Sequence, residues 1–529
     1  MGGPKAQRQG LRQNRNRDRP QARAQEQAYH HQQQQKTRKR QRPFCGLATL
    51  LVLFCGLYTL SFVFHLHHTR HVLVTSSPSR SVLASSSPRP SSSASLNAQM
   101  HPQTQPRTQT QTQTRPQTIN EQQQEPTSPR RSQFQRKQYD ICIAGAGLSG
   151  AVLAERYASQ QGKRVLVVEK RDHIGGNCYD YIDAETDIRV SKYGAHIFHT
   201  KSTRVWSYVQ QFSGWTTYEH EVQGWVDGQH VPIPVNIDTV NRLFDLNISD
   251  SREMDEWLEK EREMPQHEGS PSNSEEMALS RVGRRLYDLI FHPYTVKQWN
   301  KQPNELGPEV TARIPVRNSH DPRYFDDPYQ ALPSDGYTAF FHNLLQHDNI
   351  EVHVNTDYFA SIRDPSLSHD PDAIRCDMTY YTGPIDTYFA SLGWPKLEYR
   401  SLDFERRVIT DIGTANYFQP RSVINHPSLS DDYTRIVEYK HFLNQTTSPH
   451  TVLFYERSKD GGDPFYPVPN PRNRELYERY QRMAQQEDGV RFVGRLANYK
   501  YFNMDQAILN ALTIFDEDSQ GGGALPRRH

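Results

Sequence analysis

Cysteine is scarce in this sequence. Five are spread over 529 residues, at positions 45, 55, 142, 178 and 376. That number and scatter exclude a disulfide framework and a cysteine-based zinc site. Cys45 and Cys55 fall in an apolar run and Cys142 in a strand-like one, so they read as packing or membrane residues; only Cys178 lies near a candidate site. An excess of charge of one sign is also missing. Sixty-two basic residues against 60 acidic ones give a net charge of +2, too balanced to indicate a nucleic-acid partner. Apolar residues make up only 35% of the chain, which implies long polar segments that join no core. No Ser/His/Asp or Cys/His set has the spacing for side-chain nucleophilic catalysis, and no metal site is expected.

The polar segments gather at the N-terminus. Residues 1–43 are rich in Gln and Arg, with Asp18 and Glu26 as the only acids, and read as a basic disordered tail. From Phe44 to Leu66 the chain is apolar and carries no charge before His65. At 1.5 Å per residue this run reaches roughly 35 Å, enough for a bilayer core of about 30 Å. Its length and the polar segment ahead of it exclude a cleaved signal peptide. Lys36–Arg42 (KTRKRQR) flanks the N-terminal side, so the positive-inside rule predicts one type II span, with the N-terminus cytosolic. Residues 67–137, Ser/Pro-rich and then Gln/Thr/Pro-rich, read as a stalk. The sequons at Asn247 and Asn444 fit a lumenal C-terminal region. The last residues, 516–529, read as a disordered tail.

Residues 138–515 have the composition of a folded α/β protein. Tyr139–Ala144 is an apolar strand followed by Gly145, Gly147 and Gly150 in G-x-G-x-x-G spacing, a helical stretch, and a second strand, Val165–Val168, closed by Glu169. Gly145 suits the tight turn, Gly147 the close approach of a pyrophosphate, and Gly150 helix–strand packing. The helix start offers N–H groups to phosphate, and Glu169 can accept from a ribose diol. Gly175–Gly176 makes a second tight approach that a nicotinamide domain does not need, which points to FAD. Near the end, RFVGRLANYKYFNMDQAILNAL reads as strand, glycine turn and helix; Arg495 and the helix start at Met504–Asp505 are placed to face pyrophosphate or flavin. The FAD pieces are therefore expected near 138–225 and 488–515.

The series YGAHIFHT (193–200), FHPYTVKQW (291–299), ARIPVR (312–317), RYF (323–325), YTRI (433–436), FYPVP (465–469) and FVGRL (492–496) resembles the UDP-galactopyranose mutase family, in its bacterial more than its fungal form. The resemblance covers residues 138–515. It implies an α/β fold in which a discontinuous Rossmann-like FAD-binding domain carries a small helical domain, about 236–310. An antiparallel substrate-binding sheet is drawn from 311–487, with IEVHVNTDYF, CDMTYYTG and RIVEYKHFL among its strands.

It also implies an isomerase that interconverts UDP-galactopyranose and UDP-galactofuranose without net redox change, with N5 of reduced FAD attacking the anomeric carbon as UDP departs. Arg313 and Arg435 match the arginines that stabilise the diphosphate, a task suited to a planar, permanently charged fork. Arg313 sits in a loop of the kind that closes over substrate, and Arg400 matches a further arginine near the active site. Phe291, Tyr294, Thr295 and Trp299 match the nucleotide motif, with Tyr294 expected against uracil. Tyr324, Tyr466 and Tyr501 match phosphate-contacting tyrosines and Asn416 a substrate amide. His196 and His199 fall in the motif against the flavin, with His199 also counted among the catalytic residues. The cofactor set is completed by Leu148, Lys170, Asn177, Ile197 and Asn503. Two positions depart from the bacterial pattern: His220 stands where Asn is common, and Asn503 where Asp is. The overall expectation is a Golgi membrane enzyme that supplies galactofuranose for glycan synthesis, attached to the lipid bilayer by one span, with a homodimer conceivable by analogy. The rivals are an amine-oxidase-like FAD oxidoreductase and a non-catalytic flavin or UDP-sugar-binding protein.

Overall fold

The computed structural model describes residues 138–520, apart from 266–268, 371–372, 411 and 413–415. The chain begins with β1 (Gln138–Ala144), turns through the glycines into α1 (Leu148–Gln161), and returns as β2 (Val165–Val168). This is a right-sized βαβ unit, and β2 pairs parallel to β1 with Ile141 beside Val165 and Ala144 beside Val168. The chain then leaves this layer. The hairpin β3 (Val222–Val226) and β4 (Gln229–Ile233) starts a second sheet.

A helical stretch follows: α2 (Ile237–Phe244), α3 (Ser251–Glu261), α4 (Ser274–Leu286), a π-helical turn (Tyr287–Phe291) and α5 (His292–Trp299). Each of the first three starts where an Asn or Asp side chain accepts a backbone N–H. Asn236 makes a reciprocal capping box with Thr239, and Asp250 and Asn273 accept from Glu253 and Glu276. Asn300, left-handed at φ 51°, ends α5.

β5 (Ile350–His353) and β6 (Arg375–Tyr381) return to the first sheet. The second sheet is completed by β7 (Tyr399–Ile409), β8 (Val423–Asn425), β9 (Arg435–Glu438), β10 (Thr451–Asp460) and β11 (Tyr466–Pro467). β12 (Val490–Phe492) and α6 (Met504–Gln520) end in the first layer. The first sheet has the order β5-β2-β1-β6-β12 and is parallel throughout. The second has the order β11-β7-β10-β9-β8-β3-β4 and is antiparallel except where β8 meets β3. Both faces of the first sheet are covered, so β2 is buried at all four positions.

Four expectations change. IEVHVNTDYF and CDMTYYTG form β5 and β6 of the parallel sheet, not strands of the substrate sheet. A short apolar run announces a strand but not which sheet receives it. Cys142 and Cys376, 234 residues apart in sequence, are joined by a disulfide across β1 and β6, with Cα atoms 5.7 Å apart. Topology, not spacing, creates that pair. The C-terminal helix continues to Gln520, because Asp516 pairs with Arg204 at 2.6 Å and Asp518 accepts from Tyr380 and Arg491. Those acids hold the helix down instead of solvating a tail. Finally, among the described residues no helix is long and apolar enough to cross a membrane. The expected tail, span and stalk (1–43, 44–66 and 67–137) lie outside the described residues.

Candidate active site

The glycine turn after β1 is closed from three sides. Gly145 has φ +111°, and a Cβ there would lie 2.2 Å from Thr382 Oγ1, which itself donates to Ala144 O. Gly176, at φ +56°, backs directly onto Gly147: a Cβ on it would come within 2.9 Å of the Gly147 Cα. The second glycine pair therefore exists to let two backbones touch. Gly150 faces Gly145 O from α1. Leu148 opens α1, and no side chain caps its first turn, which leaves N–H donors and the positive dipole end available to a diphosphate.

Glu169 is buried at the end of β2. Its carboxylate accepts from Ala146 N at 2.9 Å and Arg171 N at 3.0 Å. Two further lone-pair positions remain for a ribose diol. Asn177 Oδ1 accepts from Arg171 at 3.0 Å, and Lys170 is exposed beside it. A backbone cradle with free N–H groups and one carboxylate fits the adenosine diphosphate half of FAD.

The C-terminal return closes the same region. Arg495 donates to Phe502 O at 3.1 Å and to Phe465 O at 3.3 Å, so it fastens the last loop to the strand start at Tyr466. Met504 is buried against the free thiol of Cys178, whose pKa burial pushes up to about 12. Asp505 accepts from Thr200 Oγ1 at 3.0 Å, and the backbone N–H of Asn503 donates to Gln506.

Three histidines line the middle. His196 Nδ1 sits 2.8 Å from Gly194 O, beside half-buried Ile197; burial, with Arg495 and Arg435 nearby, takes its pKa down to about 4. The ring is thus neutral, with Nδ1 as the donor. His199 Nδ1 lies 2.9 Å from Asp327 Oδ2, and its ring stacks on Phe325 at 3.6 Å. His220 is buried, its Nδ1 has no partner, and burial lowers its pKa to about 3. Its backbone carbonyl accepts from Tyr324 N at 2.6 Å.

Arg435 is the hub of the remaining residues. It opens β9 directly opposite Glu456 of β10, and its Nε donates to Glu456 Oε2 at 2.5 Å. Burial disfavours the cation, but Glu456, Tyr294 and Tyr466 around it hold the guanidinium firmly charged. Arg313, exposed after the helical turn Glu309–Ala312, stacks on Tyr501 at 4.0 Å. Tyr501 in turn stacks on Tyr466 at 5.3 Å with the rings 10° from parallel, and Tyr466 neighbours Trp299. Burial alone would raise the Tyr501 hydroxyl; Arg313, Arg495 and Arg435 bring it below the usual tyrosine range.

The other candidates differ in exposure. Phe291, Thr295 and Trp299 are buried, and Phe291 belongs to the main core. Arg400 is 2% exposed and turned to the protein: it donates to Gln298 O at 3.0 Å and to Ser458, and pairs with Asp460. Asn416 is exposed. Asp327, Glu456 and Thr382 were not identified from sequence. Asp327 follows the RYF motif closely and could have been marked, whereas Glu456 becomes visible only once β9 and β10 are paired.

Comparison with known proteins converges on one family. The family model described as UDP-galactopyranose mutase matches residues 289–501, and one described as an NAD(P)-binding Rossmann-like domain matches 143–212. A "Probable UDP-galactopyranose mutase" of Klebsiella pneumoniae is 35% identical over 386 residues, 72% of this chain and 94% of that protein. The chain belongs to the UDP-galactopyranose mutase family.

A dTDP-fucopyranose mutase of Escherichia coli is 34% identical over 375 residues, 70% of this chain and 96% of that protein. A crystal structure of reduced UDP-galactopyranose mutase shares the fold at TM-score 0.58 and 17% identity, covering 73% of this chain and 96% of the other. Membership makes the protein an enzyme, an isomerase of the mutase type with a Rossmann-like FAD-binding domain. The Golgi-membrane placement is corrected here: the relatives are bacterial, nearly their whole length matches this chain, and no described helix is long and apolar enough to span a bilayer.

Proposed function

We propose that the enzyme interconverts UDP-galactopyranose and UDP-galactofuranose at the cluster built around Arg435. The single observation that carries this reading is the convergence of Arg435, Arg313, Tyr501, Tyr466 and Tyr294. Two guanidinium groups and three phenols form a site for a departing nucleoside diphosphate, which has to be stabilised as its bond to the anomeric carbon breaks.

Bound and reduced, FAD supplies the nucleophile for that carbon. Gly145, Gly147 and the first turn of α1 hold its diphosphate, and Glu169 its ribose. His196, kept neutral and fixed by Gly194 O, presents Nε2 as an acceptor next to the flavin region. His199 is oriented by Asp327 through Nδ1, which points Nε2 away from that carboxylate. Glu456 aims Arg435 and supports its charge. Tyr294 and Trp299 of α5 meet the uridine end, and Arg400 braces that helix through the Gln298 carbonyl.

The test is turnover of UDP-galactofuranose by the dithionite-reduced enzyme, with dTDP-fucopyranose as comparison substrate because one relative bears that name. UDP-galactopyranose should form. Its absence while flavin is bound and reduced would overturn the reading, and faster turnover of the fucosyl substrate would reassign the sugar. Arg313→Ala and Arg435→Ala should each lower kcat by at least about 10²-fold, the scale for a donor to a developing anion, while keeping bound flavin. Full activity in either variant removes that arginine from the diphosphate site.

A further inference from the structure

Lys297 plays no part in the site described above, yet it joins two of its halves. It lies on α5 between Tyr294 and Trp299. Its Nζ donates to three backbone carbonyls: His426 at 2.8 Å, Tyr433 at 2.9 Å, and Ser428. An ammonium has three protons, so the group is saturated. All three acceptors belong to one loop, 426–433, which connects β8 to β9; two residues further on stands Arg435.

A single cation therefore gathers the loop and ties it to the helix that carries the uridine-facing aromatics. The next residue of the same helix is fastened as well, by Arg400 and Ser458 on the Gln298 carbonyl. The groups facing Lys297 come from the loop and its surroundings. Asp431 is bonded to His426 Nδ1 at 3.2 Å, Asp432 is paired with Arg457 of β10 at 2.8 Å, and His230 lies behind His426. Both carboxylates favour the charged lysine, but burial outweighs them and brings its pKa down to about 8. A neutral amine could serve only two of the carbonyls and would turn a lone pair toward the third.

We propose that Lys297 is a positioning residue whose ammonium draws loop 426–433 against α5 and so fixes the spacing between Arg435 and the uridine-binding aromatics that UDP must bridge. This rests on the proposed function, since UDP is the group bridged. The surface ion pairs around it are single, screened and weak, whereas three charge-assisted bonds converge on this one half-buried donor.

UDP binding to the oxidised full-length holoenzyme tests the idea without any chemistry. Lys297→Met should weaken UDP binding about tenfold, the scale of a lost charged hydrogen bond, and raise KM more than it lowers kcat, with FAD content unchanged. Lys297→Arg should recover most of the loss. Wild-type affinity for UDP should also fall between about pH 7 and pH 9, where the lysine discharges, while Lys297→Arg, which stays charged, falls less. The variant shares Tyr501 and the ligand's own ionisation, so only Lys297 differs between the two curves. Wild-type affinity in Lys297→Met, superimposable pH curves, or loss of FAD together with UDP would overturn the proposal; the last would make Lys297 a general stabiliser. If the wild-type enzyme itself binds no UDP, the proposed function fails first and takes this inference with it.

Discussion

Arg435 keeps its charge in a half-buried cluster because Glu456 faces it across one ladder position, and the same contact aims it. The other carboxylate oxygen of Glu456 is buried with no partner. Glu456→Gln retains the shape but loses the charge that supports the guanidinium. We expect kcat to drop about 10- to 100-fold, corresponding to about 1.5–3 kcal/mol for a charged hydrogen bond, with flavin content intact. Unchanged kcat would show that Arg435 holds its position without it.

A second residue-scale pair concerns stability alone. Arg406 forks onto Asp183 at 2.7 and 2.8 Å, and these bonds, against burial, lower the Asp183 carboxyl to about 2. A depressed carboxyl pKa stabilises the fold above the unfolded value near 3.8 and loses that stabilisation as pH falls toward 2. The shift corresponds to about 2 kcal/mol at neutral pH. Arg406→Ala should therefore lower the urea midpoint at pH 6 and flatten its decline between pH 4 and 2. A parallel decline in both proteins would contradict this.

At the scale of elements, the glycine cradle is the most exacting feature. Gly176 combines a left-handed backbone with contact against Gly147, so Gly176→Ala should push the two loops apart and sharply reduce the flavin-to-protein absorbance ratio of the purified enzyme. Normal flavin content would mean that the loops can separate without cost. This part of the fold was legible in sequence because its determinants are local: glycine spacing, a four-residue apolar strand and an acid at its end. The helical stretch was expected about 236–310 as whole segments, whereas the caps at Asn236, Asp250 and Asn273 that start its helices were not marked in the sequence. What could not be read depends on pairing. β5 and β6 look like strands of either sheet, Glu456 looks like any exposed strand acid, and Lys297 looks like one more solvated lysine. Arg400 shows the reverse case: its motif marks it, yet burial turns its guanidinium toward Gln298, Ser458 and Asp460.

For the whole molecule, the disulfide between Cys142 and Cys376 links strands made far apart in time and joins them beside the glycine turn. Closing so long a loop limits the unfolded chain, and loss of the bond typically costs about 2–4 kcal/mol. Cys376→Ser should therefore lower the denaturation midpoint measured without thiols. Under strong reductant the variant and the wild type should converge. Equal midpoints without thiols would indicate that the bond does not form in the isolated protein.

The first sheet carries a further consequence, one that concerns synthesis. β1 is the first described strand to leave the ribosome, and its cradle is finished by β12 and the last helix, made more than three hundred residues later. During translation the glycine turn waits, with its apolar strand, for partners that do not yet exist. A chain truncated before Val490 would carry the whole glycine motif and still lack the strand and last helix that complete its layer. Such a chain is expected to purify without yellow colour, so flavin retained by it would show that the late elements are dispensable for binding.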